Sequence, residues 1–282
     1  MADVVRVIES MYDPAWARDW DAVGLTCGDP QAPVRRVLLA VDPVDAVVEE
    51  ALAWHADLLL THHPLLLRPV HGVAAAGAKG RIVHRLIRGG CSLYTAHTNA
   101  DVAARGVSDA LARVLGLTDL EPLAPDALDD PEEAPRGMGR VGNLGAPTTL
   151  REFALLVAEA LPATSQGVRV SGDPVAEIRR VAVCGGAGDS LFGAVRASGA
   201  DAYVTADLRH HPASEAREED AGGSPYLVDV AHWASEWPWL AGVGNRLQGE
   251  LERLGTPVEI HVSNRSTDPW TFRVPSPGGV MR

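Results

Sequence analysis

Basic residues are scarce in this 282-residue chain: 25 Lys and Arg stand against 37 Asp and Glu, a net charge of −12 at pH 7 with histidine neutral. Phosphate backbones are gripped by dense positive surface, and no basic stripe occurs, so nucleic acid is excluded as a main ligand. Cysteine is scarcer still. Cys27, Cys91 and Cys184 are odd in number and too widely spaced for a disulfide framework or a CxxC metal clip, so they read as buried thiols of a reducing cytoplasm. No apolar run reaches the ~18 residues that span a bilayer. Residues 1–12 lack the apolar core and small-residue cleavage site of a signal peptide. A P-loop and a G-x-G-x-x-G turn after a strand are missing too, which excludes the two common glycine-rich grips on a nucleotide's phosphates. What is plentiful is ordinary: 46% of residues are hydrophobic, enough for the core of one large domain or two of usual size.

Val4, Val7, Ile8 and Met11 share one helical face and predict a helix over residues 3–12. Strands over 36–42, 57–60 and 91–96 then alternate with helices over 43–54, 79–88 and 106–115, the pattern of an α/β sheet. From 118 to 136 the text turns acidic and proline-rich, which predicts a linker with no apolar period to bury. Order returns at residues 139–144, followed by a helix over 149–160 that Thr148 or Thr149 caps with Glu152 nearby. Strands over 168–170 and 180–184 come next. That second stretch repeats the first. Arg36, Asp57 and Thr61 recur as Arg180, Asp201 and Thr205 at one offset of 144 (180 − 36, 201 − 57, 205 − 61), and Ala96-His97-x-x-x-Asp101 recurs as Ala231-His232-x-x-x-Glu236, offset 135 (232 − 97). The expected fold is therefore α/β, two similar β/α lobes (residues 1–117 and 139–282) joined by a linker at 118–138, with a metal-binding cleft between them.

The chemistry begins where the apolar run Leu58-Leu59-Leu60 breaks at Thr61 into His62-His63-Pro64. Neighbours in a strand face opposite ways, so two adjacent histidines share a site only where the strand ends and the backbone turns. Pro64, with no N–H to donate, marks such an end. In each lobe a histidine precedes a carboxylate by four residues, which a helical turn places on one face. Taken singly, His97 and His232 fit equally as buried histidines bonded to carbonyls, Asp101 as a helix cap, and Glu236 as a first-turn helix acid. Taken together, four imidazoles and two carboxylates suffice for two divalent ions bridged by an acid. The site should be lopsided, because Thr205-Ala206-Asp207 stands where the first lobe has Thr61-His62-His63. His55, His71, His84 and His261 lack such company, and His210-His211 lies within a predicted helix; none is expected to bind metal. Gly185-Gly186-Ala187-Gly188 is the glycine-rich candidate for a phosphate, and a tight turn explains it equally well.

These motifs resemble the Nif-three-like (NGG-one-interacting factor three) proteins, also called dinuclear metal centre hexameric proteins or GTP cyclohydrolase 1 type 2 homologs. The matching text is Trp20-Asp21-Ala22-Val23-Gly24-Leu25, Thr61-His62-His63-Pro64, Ala96-His97-Thr98-Asn99-Ala100-Asp101, Gly139-Arg140-Val141-Gly142, Val183-Cys184-Gly185-Gly186, and Ala231-His232 through Glu236. It runs over nearly the whole chain. The resemblance implies metal ligands at His62, His63, Asp101, His232 and Glu236, with Glu236 bridging and His97 a close neighbour of the ligands. It implies two divalent metal ions per chain (iron, zinc, manganese, cobalt or nickel), a cytoplasmic homohexamer, and a nucleotide or other small-molecule substrate. Ala22 and Asn143 depart from the family's usual Asn and acid, and the stretch between the lobes is too short for the extra domain some relatives carry. Two functions follow as expectations: a metal-dependent hydrolase opening the purine ring of GTP, or a metal-handling or regulatory protein-interaction module.

Overall fold

The computed structural model describes residues 1–127 and 134–274. The first part of the chain forms α1 (Ala2–Met11), β1 (Gly24–Cys27), β2 (Arg36–Ala40), α2 (Asp45–Ala53), β3 (Leu58–Thr61), α3 (Ala78–Arg88), β4 (Ser92–Thr95), α4 (Thr98–Val102) and α5 (Val107–Val114). The second forms β5 (Thr118–Pro125), β6 (Gly137–Thr149), α6 (Leu150–Ala160), β7 (Arg169–Ser171), β8 (Glu177–Ala187), α7 (Phe192–Ala197), β9 (Ala202–Ala206), α8 (His210–Glu219), β10 (Tyr226–Val230), α9 (His232–Glu236), α10 (Pro238–Arg253) and β11 (Glu259–Val262). Two mixed sheets result, ordered β1-β4-β3-β2-β11 and β5-β6-β8-β9-β10-β7. No helix among the described residues is long and apolar enough to cross a membrane.

The repeat is a repeat of structure. Val37 pairs with Leu58 and Leu58 with Ser92 in parallel register; 144 residues on, Val181 pairs with Ala202, and Ala202 pairs in turn with Tyr226 at the start of the next parallel strand. Strands covered on both faces need apolar side chains throughout, and β3 and β9 are buried at every position. The repeated aspartate is a latch. Asp57 accepts the backbone N–H groups of Arg35 and Arg36 at 2.7 and 2.9 Å, and Asp201 those of Arg179 and Arg180 at 2.8 and 2.7 Å. Each latch ties the start of one strand to the start of the next, so both strands reach the far end of the sheet in step.

Thr149 and Glu152 close the expected capping box on α6, each side chain meeting the other's backbone N–H. The linker expectation is corrected over Thr118–Pro125, which is an edge strand paired antiparallel with β6. Half of its eight side chains are exposed and only Leu123 is buried, so it is held mainly by backbone pairing and shows no apolar period. The expected linker also covers residues 128–133, which lie outside the described residues. The lobes also share more than a cleft. A single apolar cluster runs from Tyr94, Val107 and Leu111 through Val181 and Val204 to Trp239 and Leu247. α10 packs on α1 and α5, and β11 returns to pair with β2 in the first sheet.

Candidate metal centre

β3 ends at Thr61, but its backbone stays tied to β2: His62 donates to the Ala40 carbonyl at 3.2 Å and His63 to Val41 at 2.9 Å. Just beyond the strand's last residue the two imidazoles lie side by side, ring centroids 5.0 Å apart. β4 ends two residues before His97, and α4, which starts directly after that histidine, carries Asp101. In the second lobe α9 opens on His232 and closes on Glu236, which brings the i and i+4 side chains within 3.0 Å.

Every one of the four imidazoles has its Nδ1 engaged. His62 Nδ1 meets the Ala96 carbonyl at 2.9 Å, and the Nδ1 atoms of His63, His97 and His232 meet Asp42, Asp21 and Asp207, each at 2.7 Å. An acceptor at Nδ1 assigns the proton there and leaves the Nε2 lone pair as a ligand, the support that metal-binding histidines require. The Nε2 atoms converge on Glu236. His232 Nε2 is 3.0 Å and His62 Nε2 3.5 Å from its Oε1, and His63 Nε2 is 3.1 Å from its Oε2. Asp101 Oδ1 lies 3.5 Å from His62 Nε2 on the other side.

Two overlapping groups therefore share His63. Ligand atoms of His62, His63 and His97 lie within 4.8 Å of one another, and so do those of His63, His232 and Glu236. His62 Nε2 and Glu236 Oε2 are shut from solvent with no hydrogen-bond partner. Buried polar atoms left unpaired are costly, and a cation between them removes that cost. The donor set, imidazole nitrogens with carboxylate oxygens, suits divalent transition metals. The residues thus fit a metal, and the structure brings all five expected ligands and His97 to one place.

Electrostatics agree. Burial opposes charge on His62, His63 and His232, yet the Glu236 carboxylate together with Asp101, Asp42 and Asp207 respectively outweighs it and raises all three, His232 to about 10. Glu236 is likewise opposed by burial, but the three imidazoles hold its carboxyl well below the usual range. Burial pushes Asp101 up. A strong carboxylate ringed by proton-binding imidazoles is the protonated counterpart of a metal site, since metal and proton compete for the same Nε2 atoms.

Gly186 makes the room. With φ at +69°, its backbone passes so close that a Cβ there would stand 2.6 Å from Glu236 Oε1 and 3.1 Å from His232 Nε2. The glycine run around it is a turn: Gly185 and Gly186 spend their N–H groups on the hydroxyls of Ser108 and Ser235. It offers no phosphate cradle there. Sequence reasoning missed Asp42, Asp207 and the role of Asp21, all of which act only through a histidine distant in sequence. For Asp42 and Asp207 the available signal was a strand-end position at the repeat offset, since Asp42 is the counterpart of Gly186 (186 − 42 = 144) and Asp207 that of His63 (207 − 63 = 144).

Beside the cluster lies a cavity of about 250 Å³ whose walls include His63, His232, Asp42, Asp207, Asp268 and Trp270. Duplicated β/α lobes that join a buried histidine–carboxylate cluster to an adjoining cavity define an α/β protein with a candidate metal centre between its lobes. The chain belongs to the family described as Duf34/NIF3 (NGG1p interacting factor 3), which it matches over residues 1–269. It is 52% identical over 276 residues, 98% of this chain and 95% of the relative, to a "GTP cyclohydrolase 1 type 2 homolog" of Streptomyces coelicolor. A protein of Mycobacterium leprae with the same description is 37% identical over 374 aligned residues, covering 96% of this chain and 95% of that one. The crystal structure of a Bacillus cereus protein related to NIF3 superposes with a TM-score of 0.86 at 27% identity, covering 96% of this chain and 98% of that one.

Proposed function

We propose that the chain is a metal-dependent hydrolase acting on a nucleotide, with GTP the first substrate to test. The observation that carries the reading is the pair of orphaned ligand atoms, His62 Nε2 and Glu236 Oε2, inside a cluster whose other imidazole faces are already committed. In this reading His62, His63, Asp101, His232 and Glu236 would hold two divalent ions. Ions bound there would supply Lewis acidity toward an electrophilic ring carbon. The protein's own contribution is orientation and proton handling. Asp42, Asp21 and Asp207 fix three rings against rotation. His97, less buried than His62, belongs to the same group, and with its Nδ1 held by Asp21 its Nε2 is the nitrogen left for proton transfer.

The cavity beside the cluster favours turnover over metal storage, because storage needs no space for a second molecule. The name carried by the Streptomyces and Mycobacterium relatives supports GTP as the compound to try. The test is elemental analysis of the purified chain beside a His62→Ala, Glu236→Ala double variant, followed by incubation of the metal-loaded parent with GTP under mass spectrometry. About two ions per chain, lost in the variant, with metal-dependent loss of GTP, is the expected result. Full metal with GTP intact hands the site to the metal-handling reading, and no metal after reconstitution removes both. The family resemblance also supports a cytoplasmic homohexamer, which light scattering of the purified chain checks for assembly.

A further inference from the structure

A second cavity, of about 440 Å³, shares no wall residue with the metal centre or with the cavity beside it. Arg105, Arg136 and Arg246 line it beside Met11 and Trp16, and among the described residues no Asp or Glu does. In a chain of net charge −12 that is a local reversal of sign. Arg105 stands in the left-handed region at φ +59°, which costs a residue with a side chain about 1–2 kcal/mol. Its guanidinium makes no hydrogen bond or ion pair. Arg246 lies over the Tyr12 ring, 5.5 Å from its centroid, and engages only Nη1, with the Tyr12 hydroxyl at 3.3 Å and the Arg105 carbonyl at 3.4 Å. Its Nε and Nη2 stay open. Opposite them Arg136 covers the Trp16 ring at 4.9 Å, and its backbone carbonyl is pinned by the Asp126 N–H at 3.0 Å. Guanidinium forks beside apolar surface, with no carboxylate between them, recognise an oxyanion that carries an apolar body.

We infer that this cavity binds a small organic phosphate, with its phosphoryl oxygens on Arg105 and Arg246 and its apolar body against Met11 and Trp16. One guanidinium fork is enough to fill the two oxygens of a carboxylate. A phosphate monoester brings three oxygens and nearly two charges, which two forks share. The cavity falls in the ~300–1,000 Å³ range of small-molecule sites. The inference does not depend on the nucleotide reading above, because no residue of the cluster takes part in it.

The test is calorimetric titration of the metal-loaded chain with phenyl phosphate, inorganic phosphate and benzoate at one ionic strength. Phenyl phosphate is expected to bind about fivefold or more tighter than inorganic phosphate, through the apolar contact, and tighter again than benzoate. Arg105→Gln removes a guanidinium on which no folded contact depends, and is expected to weaken phenyl phosphate about tenfold or more, as is Arg246→Gln. Arg179→Gln, at an exposed arginine of β8, controls for net charge and is expected to leave the affinity as it was. No binding of phenyl phosphate, benzoate binding as tightly, or an unchanged affinity in Arg105→Gln, as capture at the metal cluster would give, would each overturn the assignment. Binding that appears only once Asp129, Asp130, Glu132 and Glu133 are replaced by their amides would overturn it too, by giving the arginines to the chain's own acids.

Discussion

Replacing Gly186 by alanine separates backbone strain from damage to the cluster. Gly186 sits at φ +69°, where an L side chain costs about 1–2 kcal/mol. Its Cβ would also lie 2.6 Å from Glu236 Oε1, a distance at which something must move. Glu236 is 3% exposed and held among three imidazoles, so its carboxylate can retreat only by leaving the point on which their Nε2 atoms converge. Gly199 supplies the control. Its φ is +68° and nothing lies within 4 Å of a Cβ built on it. Both Gly186→Ala and Gly199→Ala are expected to lower the unfolding free energy of metal-free protein by about 1–2 kcal/mol in denaturant titrations. Only Gly186→Ala is expected to weaken metal binding, by about 10–100-fold in competition with a chromogenic chelator. Parental metal affinity in Gly186→Ala would refute the claim that this glycine clears space for the Glu236 carboxylate.

Arg140, 2% exposed, donates to the carbonyls of Gly137 and Gly139 at 2.7 Å and of Ala103 at 2.5 Å, so it joins β6 to the end of the helix bearing Asp101. Arg140→Ala is expected to cost about 3–5 kcal/mol in chemical denaturation; a loss under 1 kcal/mol would show those carbonyls find other partners. Asp42→Asn removes the charged acceptor at His63 Nδ1 and is expected to weaken metal binding about tenfold at nearly unchanged thermal stability, read by elemental analysis after dialysis. Burial disfavours the thiolate and so raises a thiol's pKa, and Cys91 and Cys184 are each pushed up to about 12. Iodoacetamide at pH 8.5 should therefore label them roughly a thousandfold more slowly than an exposed thiol, and rapid labelling of the native chain by mass spectrometry would contradict that burial.

The duplicated half-sheets were readable from the text because parallel strands buried on both faces leave apolar runs, and because a latch such as Asp57 or Asp201 sits at a fixed place before each. His62, His63, His232 and Glu236 were readable for a related reason: the strand end and the first helical turn decide which way their side chains point. β5 was hidden, since an edge strand with few buried side chains writes no period into its sequence. β11 was hidden too, because its pairing with β2 joins segments far apart in the chain. The carboxylates that orient the rings escaped for the same reason. Asp21 serves His97 across 76 positions (97 − 21), a relation that three dimensions create and periodicity does not record.

That distant pairing sets the order in which the protein can be made. Glu259 pairs with Arg36, so the first sheet keeps an open edge at β2 while 223 further residues (259 − 36) are synthesised. At ordinary elongation rates this lasts roughly 10–45 s. Throughout, β2 presents unpaired backbone and its apolar Val-Leu-Leu run to whatever else is nearby. Glu236 emerges late in the same interval, so a nascent chain bearing both His62 and His63 still lacks the carboxylate on which they converge. Any metal held by this cluster would therefore be captured late in the synthesis of the chain, after most of the interval in which the edge of β2 stands open.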